Sequence, residues 1–182
     1  MKVKKSGLLI AMAIAAGAAL PTASFAYDGT ITFSGNITAT TCQISGNGQG
    51  SNFTVSLPTV SVSSLPKDTD WAMRTPFTIA LTNCTPASGS AGVYFEPGAT
   101  VDTTTGQLIN ATGTATNVEV GLLNGDTSKI NLGQGATTQN VKVASIASGS
   151  ATLSYIAEYV AKGGAAGAGS VQTTSQYTII YQ

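Results

Sequence analysis

From residue 30 onward, the apolar residues of this chain recur at every second position. Ile31, Phe33 and Ile37 alternate with polar neighbours, and Gly35 takes the remaining slot. In an extended strand, these four share one face. Cys42 and Ile44 mark a short strand at 40–45. Phe53, Val55 and Leu57 mark another at 52–57, ended by Pro58 and continued after a kink by Val60 and Val62. Phe77, Ile79 and Leu81 alternate strictly and lead to Cys84. Val93 to Phe95 is a short strand stopped by Glu96-Pro97-Gly98. Val118, Val120 and Leu122 form the next strand, closed by a tight turn at Asn124-Gly125-Asp126. Ile130 with Leu132, then Val141, Val143 and Ile146, suggest two short strands. Leu153, Tyr155, Ala157 and Tyr159 make a longer one. Val171, Thr173, Ser175, Tyr177, Ile179 and Tyr181 share one face of a last strand.

The intervening segments read as loops. They are 46–51, the polar stretch 63–75 around Trp71, 85–92, the Thr-rich connections 102–106 and 110–116, and a flexible linker at 162–170. No stretch after residue 26 has a period of 3.6. Many short strands with regularly spaced turns predict an all-β sandwich.

The first residues set the compartment. Lys2, Lys4 and Lys5 precede an apolar run from Gly7 to Leu20, and Ser24-Phe25-Ala26 is a small-x-small cleavage site. This reads as a secretory signal peptide over 1–26, with the mature chain starting at Tyr27. The stretch around Gly35 then lies near a free end. Chain ends fray unless something ties them down. Such an end is either the first strand of its own sheet or a strand meant for another molecule.

Composition narrows the functions. The signal holds three of the eight basic residues and none of the eight acidic ones, so the mature chain carries a net charge of −3. It offers no basic footprint for nucleic acid. Cys42 and Cys84 are the two cysteines of the chain. In an oxidising compartment they predict one disulfide between neighbouring strands, worth at most about 4 kcal/mol in the chain-entropy model.

Catalytic and metal-binding signatures are missing. Without histidine, neither Ser-His-Asp nor Cys-His catalysis can be built. No C-x-x-C or histidine cluster suggests a metal, and no cofactor is expected. Asp68 and Asp70 read as a solvated turn. The glycines at 46, 48 and 50 read as a turn too, because no helix follows them. Nothing points to an enzyme.

Taken together, these features resemble the pilin subunits of the bacterial chaperone–usher pathway, of the type 1-like major fimbrial kind. The match covers the whole mature chain. It rests on the alternating stretch with Gly35, Cys42 soon after it, Phe77-x-Ile79-x-Leu81-x-x-Cys84, Asn117-Val118-x-Val120, Tyr155-x-Ala157-x-Tyr159 and Tyr177-x-Ile179-x-Tyr181-Gln182. Family members typically have a penultimate tyrosine and a glycine fourteenth from the end, here Tyr181 and Gly169.

The resemblance implies an incomplete immunoglobulin-like sandwich lacking its seventh strand, with a donor-strand extension at 27–39 and a pilin domain at 40–182. It implies a groove beside the C-terminal strand (Gly169, Tyr177, Ile179, Tyr181) filled by a strand from another chain, a binding mode known for pilins. Ile31, Phe33 and Ile37 would fill pockets in a neighbouring copy, with Gly35 passing where a side chain would clash. The implied partners are further copies head-to-tail, a periplasmic chaperone, an outer-membrane usher, and minor pilins or a tip adhesin. The implied destination is the cell surface, reached through the periplasm. A minor adaptor pilin of the same fibre and a secreted, closed β-sandwich binding module are the alternative readings.

Overall fold

The computed structural model describes residues 29–35, 37 and 39–182. The expected signal peptide and the start at Tyr27 lie outside the described residues, as do Asn36 and Thr38. The chain falls into two units, Met1–Asn36 and Ile37–Gln182. In the first, residues 29–35 belong to no strand and are exposed.

The second unit is all β. Its strands are β1 (Thr41–Gly46), β2 (Trp71–Thr85), β3 (Gly89–Phe95), β4 (Val101–Asp102), β5 (Gln107–Ile109), β6 (Val118–Asn124), β7 (Ala144–Ile146), β8 (Ala151–Ala161) and β9 (Tyr177–Tyr181). The one helical element among the described residues is a 3₁₀ turn at Val62–Ser64, capped by Ser61. Six strands form one sheet in the order β1-β2-β8-β6-β5-β4, and three form another in the order β7-β3-β9. Every ladder is antiparallel.

The long β2–β8 pair organises the core. Phe77 lies opposite Tyr155 and Ile79 opposite Leu153, so the two alternating rows meet on one face. That face packs on the smaller sheet. The Tyr155 ring lies 5.5 Å from Phe77 and 5.5 Å, edge-on, from Phe95. Ile79 and Leu81 are fully buried, and burial of such a side chain contributes about 1.5–3 kcal/mol. Pro76 is tolerated inside β2 because β1 pairs only from Ile79 onward. The proline therefore faces an open edge, where a missing N–H costs nothing. Cys42 on β1 and Cys84 on β2 are joined by a disulfide that closes a separation of 42 residues.

Several segments depart from the expectations. Trp71 does not sit in an irregular loop but opens β2. A register shift between Ala72 and Thr75 absorbs the break in alternation, with Met73 at positive φ. The 85–92 loop is shorter than expected because β3 starts at Gly89. Residues 102–106, expected as a Thr-rich connection, lie within the β4–β5 hairpin of Val101–Asp102 and Gln107–Ile109.

Ile130 and Leu132 are core residues but belong to no strand. The backbone there bonds singly to Leu122 and Gly106. Segment 162–170 is not a loose linker. Lys162 N–H donates to Asn117 O, Gly163 N–H to Asp68 Oδ1, Ala166 N–H to Leu65 O and Gly167 N–H to Thr116 O. The glycines and alanines that suggest flexibility instead permit close backbone approach. Asp68 and Asp70 act as turn acceptors, Asp70 taking the Lys67 N–H.

Candidate strand-acceptor edge

Strand β9 lies at the rim of the smaller sheet, and β3 is its sole ladder partner among the described residues. Backbone groups in a strand point alternately to its two sides. In the last dozen residues, the even positions face inward to the sheet. Ser90 and Gln182 exchange both hydrogen bonds, Glu96 N–H donates to Gln176 O, Thr100 Oγ1 donates to Thr174 O, and Ala111 N–H donates to Gln172 O. The odd positions, Val171 to Tyr181, therefore turn their N–H and C=O groups to the opposite, unladdered side. Their side chains are all half-buried, whereas 172, 174, 176 and 178 are exposed. One row thus presents both unpaired backbone and incompletely covered apolar side chains.

A second such row stands near it. Phe53, Val55 and Leu57 are half-buried and alternate with exposed neighbours as in a strand, yet no ladder among the described residues includes them. The sequence predicts a strand here; the segment has the extended alternation without a partner. Phe53 packs edge-on against Tyr177 at 6.1 Å, and the Tyr177 hydroxyl donates to Ser51 O at 2.7 Å. Val60 and Val171 both pack on the second core cluster, formed by Leu65, Ala72, Val118 and Ala161. The segments 53–60 and 171–177 therefore run antiparallel, flanking a strip of core that each covers only in part. Burial pushes the Tyr177 phenol up from its ordinary value, and its ring forms part of the wall.

Thr173 sits within the odd row, and its Oγ1 is buried without a hydrogen-bond partner. Gly169 precedes the row at φ 152°, and a Cβ there would run into the backbone of Thr114 and Ala115. Glycine is required at this point for the chain to enter the edge so close to its neighbour. The apolar residues Ile31, Phe33 and Ile37 are 78%, 90% and 104% exposed, and among the described residues beyond its chain neighbours nothing lies within 4 Å of where a Gly35 Cβ would stand.

Of the residues nominated from sequence, the fold brings Tyr177, Ile179 and Tyr181 onto the open edge and places Gly169 at its entrance. The wall formed by Phe53, Val55, Leu57 and Val60 is not among them. Its signal is present in the alternation at 52–57, but alternation alone does not tell a paired strand from an unpaired one. Among the described residues, no cluster of three metal-ligating side chains occurs.

Comparison with known proteins agrees with this geometry. The family model of the type-1 fimbrial protein, A (FimA), matches residues 57–182. The F17 fimbrial protein of Escherichia coli is 47% identical over 171 residues, covering 91% of this chain and 93% of that protein. The major fimbrial subunit SMF-1 of Stenotrophomonas maltophilia (strain K279a) is 45% identical over 170 residues, covering 90% and 98%. A subunit in the structure of a chaperone–usher pilus, solved to explain rod uncoiling, superposes with a TM-score of 0.57 at 18% identity, covering 85% of this chain and 95% of that one. The incomplete sandwich is thus the pilin fold, and the chain belongs to the FimA family of type-1 fimbrial proteins.

Proposed function

We propose that this chain is a structural subunit of a surface fimbria and that it polymerises by strand exchange between copies. The observation that carries this reading is the odd-numbered row from Val171 to Tyr181, which offers unpaired backbone and half-covered apolar side chains on the same edge. A strand added there would gain main-chain hydrogen bonds and apolar burial together. An open edge of this kind otherwise invites aggregation.

The stretch 30–38 has the complementary pattern. Ile31, Phe33 and Ile37 of one subunit would cover the strip between 53–60 and 171–181 of the next, and Gly35 would pass its narrowest point. Thr173 Oγ1 would then find a partner on the incoming strand. Each copy gives a strand and receives one, a head-to-tail contact that does not close and so builds a filament. Before assembly, a periplasmic chaperone would cover the same edge. The subunit would leave that chaperone at an outer-membrane usher, and minor pilins or a tip adhesin would share the fibre. The domain boundaries follow from these roles: a signal over 1–26, a donor strand over 27–39 and a pilin domain over 40–182. The closed binding module is disfavoured because β9 has an open side.

The test is gel electrophoresis in SDS of fibres sheared from cells, with and without boiling. The expected result is a ladder of multimers that collapses to a single band only on strong heating, because release exposes the whole edge at once. A single monomer band without heating would overturn the reading.

A further inference from the structure

Strand exchange leaves a pocket on the outer face of the six-stranded sheet unused. Trp71 lies opposite Val160 on β8, and Glu119 of β6 lies opposite Val160 from the other side. Ala72 points into the core, so Trp71 points out, and it is 52% exposed. The Arg74 guanidinium sits 4.0 Å from the Trp71 ring centroid, and its Nε donates to Glu158 Oε2 at 2.9 Å. Beside this group lies a cavity of about 290 Å³, lined by Trp71 and Glu158 together with Asp68, Gln107, Lys129 and Lys162.

Three properties define what would fit. First, Trp71 contributes an aromatic platform held by its neighbour. Second, Gln107 Oε1 is buried with no hydrogen-bond partner. A buried unpaired acceptor is costly, and this residue lines the cavity. Third, the charges that line it balance, Lys129 and Lys162 against Asp68 and Glu158. Lys129 Nζ donates to Thr105 O at 2.8 Å, Lys162 Nζ is 3.7 Å from Asp102 Oδ2, and Arg74 is paired with Glu158. The cavity therefore selects for hydroxyl donors and acceptors rather than for net charge.

We propose that this pocket binds a neutral pyranose, one unit of a surface glycan. The C–H face of the sugar stacks on Trp71, where its partial positive charge meets the negative face of the ring. A hydroxyl donates to Gln107 Oε1 once the amide turns toward the cavity, and others reach Glu158 and Lys129. Weak binding at one subunit becomes strong when the pocket repeats along a fibre.

Trp71 is the single tryptophan of the chain, so intrinsic fluorescence reports this site directly. Fimbriae sheared from cells are titrated with the methyl glycosides of mannose, glucose, galactose and N-acetylglucosamine, with sorbitol as the open-chain control. The expected result is a saturable emission change with at least one glycoside at millimolar concentration and none with sorbitol. Gln107→Leu keeps the reporter and weakens the response by about tenfold. Lys129→Ala, at an exposed position, weakens it by about threefold. The proposal is overturned if no glycoside gives a saturable change, if sorbitol matches the glycosides, or if both variants titrate like the wild type. The pocket lies within one subunit, so titration of the unpolymerised mature chain gives the same answer. Failure of fibre formation and failure of sugar binding are thereby distinguished.

Discussion

The middle of the large sheet and the rim of the small one are written in the same pattern. Phe77, Ile79 and Leu81 on β2 alternate as strictly as Tyr177, Ile179 and Tyr181 on β9. The first three are 6%, 0% and 0% exposed, whereas the second three are only half-buried. The difference lies in the neighbours. Strand β2 has β8 along most of its length and β1 on its other side, while among the described residues β9 has β3 alone. Period two states what a strand can bury. Whether the same chain supplies the cover is a matter of topology.

The largest effect should come from removing the cover offered to other copies. Deleting residues 29–37 should abolish the heat-sensitive ladder while leaving the fold from Thr41 onward intact, because the strand ladders begin there. Gly35→Val should reduce fibre yield at least about tenfold, roughly 1.4 kcal/mol or more of lost assembly free energy. Among the described residues beyond its chain neighbours, no atom lies within 4 Å of that Cβ position, so the substitution should leave subunit stability unchanged. Normal fibre yield from Gly35→Val would contradict the exchange model.

Paired alanine substitutions sharpen the contrast. Ile79→Ala should cost about 2–5 kcal/mol whether or not the subunit is polymerised, because its cavity is closed by this chain alone. Ile179→Ala should cost about 1 kcal/mol in the unpolymerised mature chain, where the side chain is half-exposed, and more in the fibre. Urea midpoints of both forms would measure this. Equal costs for Ile179→Ala in the two forms would mean that nothing covers the edge on assembly.

Next in size is the disulfide, which ties β1 to the closed side of the molecule. Replacing Cys42 and Cys84 together by serine should cost about 2–4 kcal/mol by the loop-closure argument. The loss should appear in the urea midpoint of the unpolymerised chain. A smaller loss would mean that the β1–β2 ladder holds without its staple.

Much of this architecture is legible because strands with one buried face announce themselves. The rows on β2, β6 and β8 are visible as alternation, and two cysteines behind a signal-like start mark the β1–β2 staple. The half-covered wall at 53–60 is not legible as such, since its pattern matches that of a paired strand. The β4–β5 hairpin is hidden by threonines, which suit turns and strands equally. Trp71 looks like a loop residue because the bulge before Thr75 breaks the period. In 162–170, glycine and alanine suggest freedom, whereas their small size serves tight backbone bonding. The open edge itself is implied by family resemblance rather than by periodicity.

The smallest expected effect probes how dry the closed region is. Glu119 on β6 is 4% exposed and accepts a hydrogen bond from Thr105 Oγ1 at 2.7 Å. Burial holds its carboxyl above the ordinary value of 4.5. The folded chain therefore binds this proton more tightly than the unfolded chain does. Below pH 4.5 both states are protonated, and the group contributes nothing to the pH dependence. As pH rises above 4.5, the unfolded state releases the proton first, so stability falls until the folded carboxyl also ionises. The amide introduced by Glu119→Gln keeps an acceptor for Thr105 and never ionises. The variant should gain on the wild type as pH rises from 4 toward neutrality. Asp102, which shares a hydrogen bond with Glu119, titrates in a lower window. Hydrogen bonds from the Thr104 hydroxyl and backbone hold it at about 2, so its contribution is present above 3.8 and is lost as pH falls toward 2. Urea midpoints across pH 4–8 thus isolate Glu119. Parallel curves for variant and wild type would mean that water reaches this carboxyl, and that the sheet opposite the open edge is wetter than its packing implies.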